Sequence, residues 1–395
     1  MKILSVSAQK PNSTGSGVYL TSLVNEFDKM GHKQAVIAGV YKEDTVNLPD
    51  KVIFYPVFFH TENLPFAICG MSDEMPYEST RYSDMTQKMI QEFRYAFSIV
   101  LKKAINEFNP DIIICHHLYL LTAMVREAYP DIKVYGICHN TDIRQIIKTD
   151  LEREYIKSQT RKLDAIFAAS EAQSKLLVEY YALDKNSIKL LGTGYNSNLF
   201  CPIEIEKNPK IFTIIFAGKI SEKKGVKSLI RSLNYLPYTG DKLILNLVGG
   251  SGNKDEYNEI KQMAKQSKYQ VNFIGQLSQE ELVKYYCSSD VFVLPSFNEA
   301  IPLVVIEALA CGTKVVVSDL PGVRDWISEY IPKAHIDYVT LPKLSNADQA
   351  DTAELDCFER RLAKAIQKSL EEKYKGLPDM QKYSWKNIAE IIIKS

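Results

Sequence analysis

Glu299 and Glu307 lie eight positions apart in PSFNEAIPLVVIEALACGTKVVVSD, residues 295–319. Glu299 follows an apolar run, Val291 to Leu294, that reads as a buried strand. Glu307 sits in a second apolar run, Leu303 to Ala310, that reads as a helix. Pro302 suits a helix start, where no N–H is needed, and Gly312 suits a left-handed cap at its end. A helix N-terminus beside a strand end offers N–H groups and a positive dipole end to an anion, here at the helix start from Pro302 to Val304. Carboxylates beside it can accept hydrogen bonds from hydroxyls. The pair therefore suits a ligand that carries both phosphate and sugar. Upstream, AGKISEKKG (residues 217–225) places Lys219 and Lys224 between Gly218 and Gly225, just after another apolar run, Phe212 to Phe216. Lysine supplies a compact positive charge without bidentate geometry, so this turn reads as a phosphate cradle.

These residues need elements to hold them at one end of a sheet. Apolar runs of strand length alternate with amphipathic stretches along most of the chain, which predicts an α/β protein of parallel sheets. Lys2 to Ser7 reads as the first strand. A loop with Gly15, Ser16 and Gly17 follows, then a helix from about Val18 to Met30 and a strand over Gln34 to Ala38. Strand, glycine loop, helix, strand is the opening of a Rossmann-like domain. Further strands are predicted at Asp111–Cys115, ending in His116 and His117, and at Lys133–Cys138, followed by His139, Asn140, Thr141 and Asp142. Leu243 to Val248 reads as a strand that runs into Gly249. Two stretches resist assignment. Residues 60–94 read as a long irregular excursion, either an acceptor-facing lid or a surface loop, and residues 334–356 fit no pattern.

Composition excludes several functions. The 395 residues predict two or three domains. Lys+Arg and Asp+Glu are both 48, a balance without the basic footprint of nucleic-acid binding. MKILSVSA lacks the apolar core of a secretory signal, and no apolar run is long enough to span a bilayer. The seven cysteines are scattered without a C-x-x-C pair, which suggests a reducing cytoplasm. No D-x-D pair occurs, so metal-independent chemistry is expected, with no cofactor and no metal ligands.

The 295–319 stretch closely resembles the E-x7-E motif of retaining, nucleotide-sugar-dependent glycosyltransferases of the GT-B fold, family 4 type. Pro295, Ser296, Glu299, Glu307, Ala308, Ala310 and Gly312 all fall in place. The turn at Gly218 to Gly225 resembles the family's G-R-x-x-x-x-K-G, with Lys219 where arginine is usual. The resemblance implies two Rossmann-like domains facing each other across a cleft: an acceptor-side domain over residues 1–203, a donor domain over 211–380, and a helix over 381–395 crossing back to the first. It implies that Glu307 holds the nucleotide ribose, that Glu299 contacts the donor sugar, and that Lys219 and Lys224 neutralise the departing diphosphate. It implies that His139 approaches the donor sugar, that Gly15, Ser16 and Gly17 lie near the donor phosphates or the acceptor, and that Gly218 and Gly249 border the donor. Asn298, Ala300 and Ile301 would tune the sugar.

The donor is expected to be a UDP-sugar. The acceptor would be a glycan, a lipid-linked glycan or a small molecule, at the cytoplasmic face and with peripheral membrane contact an open option. A nucleotide-sugar epimerase or hydrolase on the same architecture, and a non-catalytic nucleotide-sugar binding protein, stay open. Acceptor-dependent release of nucleotide separates the first reading from both.

Overall fold

The computed structural model describes residues 1–395 except 193, 300–301, 347–348 and 381–382. The chain folds into two units, one of Met1–Gly194 with Trp385–Ser395 and one of Tyr195–Ser384.

The first unit is built on seven parallel strands, β1 Lys2–Ser7, β2 Lys33–Val40, β3 Ile53–Phe58, β4 Ile112–His116, β5 Lys133–Ile137, β6 Ala165–Ala168 and β7 Ile188–Leu190. Their order is β3-β2-β1-β4-β5-β6-β7. The central strands are buried on both faces because helices cover both, hence their continuous Ile, Val and Leu runs. The first helix spans Gly15–Lys29, starting before the expected Val18. The Thr14 hydroxyl accepts from the Gly17 N–H at 3.2 Å, capping the helix there. Gly15, Ser16 and Gly17 therefore form its first turn and not an open loop. On its inner face Tyr19, Leu20, Leu23, Val24 and Phe27 recur at helical spacing and are buried.

The 60–94 excursion is neither an open lid nor a loose surface loop. Ile68, Cys69, Met71, Tyr82 and Met85 are buried in the first unit's core. The Tyr41 hydroxyl accepts from the Ile68 N–H at 3.1 Å and donates to the Glu78 carbonyl at 2.5 Å. Thr86 caps a helix over Gln87–Phe108, so the last part of the stretch is helical. Single-sequence periodicity misses this region because long-range packing, not a repeat, orders it.

The second unit repeats the design. Strands β8 Phe212–Ala217, β9 Leu243–Val248, β10 Gln270–Gly275, β11 Val291–Leu294, β12 Lys314–Ser318 and β13 Ile336–Val339 form a parallel sheet in the order β10-β9-β8-β11-β12-β13. The unassigned 334–356 segment supplies β13 and an antiparallel pair, Leu344–Asn346 with Gln349–Ala350. The helix that follows, Leu355–Glu371, buries Phe358, Leu362, Ala363 and Ile366.

The units meet in sequence earlier than the expected boundary at 203. The Tyr195 N–H donates to the Tyr383 carbonyl at 3.1 Å, and Tyr195 bridges Ser384. Both crossing strands of chain thus belong to the second unit up to Ser384. The helix Trp385–Ile393 returns to the first, where the Trp385 ring meets Tyr19 edge-on at 4.7 Å. No helix among the described residues is long and apolar enough to cross a membrane.

In both sheets the strand order reverses at one point, between β1 and β4 and between β8 and β11. Ligands of open α/β sheets bind outside the carboxyl ends of the strands at such a point.

Candidate active site

In the second unit the switch point carries both of the motifs that resemble glycosyltransferases. The loop after β8 turns through Gly218 and Lys219 into a short 3₁₀ segment, Glu222–Lys224, and the helix Val226–Ser232. The loop after β11 runs from Pro295 to the helix Leu303–Ala310. Hydrogen bonds join the two. The Phe297 N–H donates to the Lys223 carbonyl at 3.1 Å, and the Ser296 hydroxyl donates to the same carbonyl at 3.4 Å. Gly225 adopts φ +72°, and a Cβ there would lie 2.0 Å from the Pro295 carbonyl oxygen. Only glycine permits that approach. Its result is that the Lys224 ammonium pairs with the Glu299 carboxylate, joining residues 75 positions apart.

Glu307 is one turn further along the Leu303–Ala310 helix and is buried. Burial pushes its carboxyl up to about 7, partly offset by the neighbouring Tyr286 hydroxyl. Pro302 is the N-cap (φ −71°, ψ 117°), so Leu303 and Val304 present the free N–H groups of the first turn. At the end of the helix Gly312 takes φ +79°. Gly249 follows β9 at φ +130°, and a Cβ there would fall 1.9 Å from the Gly218 carbonyl oxygen, so these two turns pack backbone against backbone. Lys219 is half-buried in the same loop. Ala300 and Ile301 lie outside the described residues; Asn298 is half-buried beside Glu299.

In the first unit three histidines gather at the ends of β4 and β5. His139 follows β5, with its ring edge-on to Tyr19 at 5.2 Å and tilted against His117 at 4.8 Å. His116 Nδ1 and His139 Nε2 are 3.1 Å apart. Beneath them Asp142 is fully buried. Its carboxylate accepts from the His117 ring at 2.5 Å, from the Leu118 N–H at 3.1 Å and from the His139 N–H at 2.9 Å. Burial alone would raise this carboxyl, but the His117 charge and these hydrogen bonds outweigh it and hold it below the ordinary value. Burial and the charge of His117 lower His139 to about 3, so its imidazole is neutral at physiological pH. Burial, then His139 and His117, also lower His116 far below its ordinary value. His117 and Asn140 take positive φ, 73° and 66°, and such strain clusters at functional sites.

The second unit thus brings Lys224, Glu299, Gly225 and the helix start together, with Glu307 on that helix. The first unit brings His116, His117, His139 and Asp142 together; Gly15, Ser16 and Gly17 start the helix that carries Tyr19. Asp142 and His116 have roles that spacing alone left unassigned. The sequence signal for Asp142 is its place in the first turn of a helix, Thr141–Lys148, directly after a strand. For His116 the register of β4 on β5, which sets it opposite Ile137, is the only signal.

Two family models match the chain: Glycosyltransferase Family 4 over residues 13–199 and Glycosyl transferases group 1 over residues 202–347. Mannosylfructose-phosphate synthase of Agrobacterium fabrum is 29% identical over 40% of this chain and 38% of its own. The matched stretch therefore takes in about two fifths of that relative. Among solved structures, sucrose-phosphate synthase from Thermosynechococcus elongatus superposes with TM-score 0.70 at 18% identity, covering 100% of this chain and 98% of that one. Anabaena Alr3699/HepE in complex with UDP-glucose gives TM-score 0.63 at 15% identity, covering 100% and 98%. With two parallel sheets of one strand order and family matches that run through both units, the chain belongs to the glycosyltransferases of family 4 type, with the GT-B fold.

Proposed function

We propose that this protein transfers a sugar from a nucleoside diphosphate sugar, UDP-linked, to a hydroxyl of a glycan, lipid-linked or small-molecule acceptor, with retention of anomeric configuration. The observation that carries the reading is the Lys224–Glu299 pair held at the start of the helix that buries Glu307. The solved HepE complex with UDP-glucose supports the choice of donor.

In glycosyl transfer the anomeric C–O bond breaks, an oxocarbenium-like transition state forms, and negative charge develops on the departing diphosphate. Preorganised positive groups aimed at that charge lower the barrier. Lys219, Lys224 and the N–H groups of Leu303 and Val304 take that part, so no metal is required. Lys224 is already compensated by Glu299; an incoming phosphate takes over the lysine and leaves Glu299 to accept bonds from the donor sugar's hydroxyls. Glu307 accepts the ribose hydroxyls in its carboxylate form. Gly218 and Gly249 let the backbone approach the nucleotide. In the first unit His139, a neutral imidazole, is the polar group for the donor sugar, and Gly15, Ser16 and Gly17 belong to the acceptor-side surface. We place the reaction in the cytoplasm, with peripheral membrane contact set by the acceptor.

Thermal-shift measurements with UDP, GDP, ADP and their sugar conjugates test the donor. A ligand at about 100 times its Kd adds roughly 2.7 kcal/mol. A shift selective for the uridine compounds and lost in Glu307→Ala is expected; no shift with any of them overturns the reading. Nucleotide release that depends on an acceptor, unchanged by a chelator, is the expected sign of transfer, and release without any acceptor would point to a hydrolase instead.

A further inference from the structure

The His116–His139 contact fixes which nitrogen of His139 carries its proton. The two rings lie 13° from parallel with centroids 5.3 Å apart. The 3.1 Å between His116 Nδ1 and His139 Nε2, extended by each ring's own radius, accounts for that whole separation. The rings therefore meet edge to edge, in line, as a hydrogen-bonded pair and not as a face-to-face stack. Both imidazoles are neutral at physiological pH, so one proton is shared across the contact.

Two arrangements are possible. If His139 donated through Nε2, His116 would have to carry its own proton on Nε2. That atom is buried and has no hydrogen-bond partner among the described residues. A buried N–H without an acceptor is rare and costly. If His116 donates through Nδ1, its Nε2 is a bare nitrogen and no fully buried donor is orphaned. His139 then accepts at Nε2 and holds its proton on Nδ1, which, unlike His116 Nε2, is not among the fully buried atoms left without a partner. The rest of the cluster keeps the rings in register. Asp142 holds the His139 backbone N–H and the His117 ring, and Tyr19 closes on both His116 and His139 edge-on, at 6.2 and 5.2 Å.

We propose that His116 is a positioning residue that sets the tautomer of His139, so that His139 presents Nδ1–H as a hydrogen-bond donor to a hydroxyl of the donor sugar. This rests on the reading of His139 given above. The choice of tautomer decides what the site selects. An Nδ1–H requires an acceptor, such as a sugar hydroxyl oxygen, whereas a bare Nδ1 would accept from that hydroxyl's own proton. It also leaves His139 unfit to take a proton at Nδ1, so acceptor deprotonation falls to another group.

The test is a long-range proton–nitrogen NMR spectrum of the ligand-free protein, which has six histidines, with His139 assigned by its loss in His139→Gln. The expected result is a proton-bearing Nδ1 and a bare Nε2 for His139. A proton on Nε2 overturns the proposal before any variant is made. In His116→Leu the His139 signals should move toward the other tautomer. In His116→Asn, where the amide can donate from nearly the same position, they should stay. Activity gives a second readout. His116→Leu should lower kcat/KM for the sugar donor about tenfold, the effect of one lost hydrogen bond, with the Kd of free UDP unchanged and most of the loss restored in His116→Asn. An unchanged His139 tautomer in a folded His116→Leu protein also overturns the proposal. Undiminished turnover of His139→Gln would instead sink the reading of His139 as a sugar contact, an outcome separable from the spectra of the free protein.

Discussion

Glu307 and Glu299 are chemically the same residue in two environments, and the difference is measurable. Burial raises the Glu307 carboxyl from the ordinary range to about 7, so the folded protein binds a proton there that the unfolded chain releases near 4.5. The unfolded state then holds fewer protons between those values, and stability falls as pH rises through that window. At 1.36 kcal/mol per pKa unit the loss amounts to about 3 kcal/mol. Glu307→Gln should therefore melt higher than the parent at pH 8 and near it at pH 5, while binding UDP more weakly at pH 8. Equal melting temperatures at both pH values would show that Glu307 keeps an ordinary carboxyl. UDP affinity of the parent protein should fall as pH drops below 7, because the carboxylate is the better acceptor for ribose hydroxyls. Glu299 is paired with Lys224 and mostly buried. Glu299→Ala should impair the intact sugar donor more than free UDP, and Glu307→Ala should weaken both. Titration calorimetry of the two variants with the two ligands separates these roles, and identical losses throughout would erase the distinction.

Elements hold these residues through a few contacts that admit little substitution. Gly225 is one: its positive φ and its approach to the Pro295 carbonyl leave no room for a side chain. Gly225→Ala should cost more than about 1 kcal/mol of stability. It should also disturb the Lys224–Glu299 pair, so donor turnover should fall further than stability alone explains; a variant of native stability and turnover would contradict the close approach. This element was legible in advance because it is local. Strand, loop, proline, helix and glycine cap follow each other within residues 291–318, and each leaves its own mark in residue type and period. The glycine-rich turn before Val226 was equally plain. What sequence left out is non-local. The start of the first helix depends on Thr14, a polar residue inside a glycine-rich stretch. The 60–94 segment is ordered by Tyr41 and by core residues far away in sequence. The support of His139 by His116 needs two strands in register, and β13 becomes a strand only because β12 offers it an edge.

At the scale of the whole molecule, one sheet plan is used twice, and the chain passes from one unit to the next and back. Trp385 belongs to the first unit, buried against Tyr19, with its ring within 2.5 Å of where a Cβ on Gly194 would stand. Truncating such a ring to alanine costs about 3–5 kcal/mol. Trp385→Ala should lower the urea midpoint of the first unit and hasten hydrogen exchange along Gly15–Lys29, leaving β8 to β13 protected as before. Uniform loss of protection in both units would mean that they unfold as one. The return of the chain also has a consequence for synthesis. A ribosome makes about 5–20 residues per second, and all of Tyr195–Ser384 is translated before Trp385 appears. The first unit emerges first yet waits roughly 10–40 s at that rate for the helix that covers Tyr19. During that interval its nascent surface around Tyr19 is open to chaperones, and the second unit, later to emerge, has all of its own strands out first.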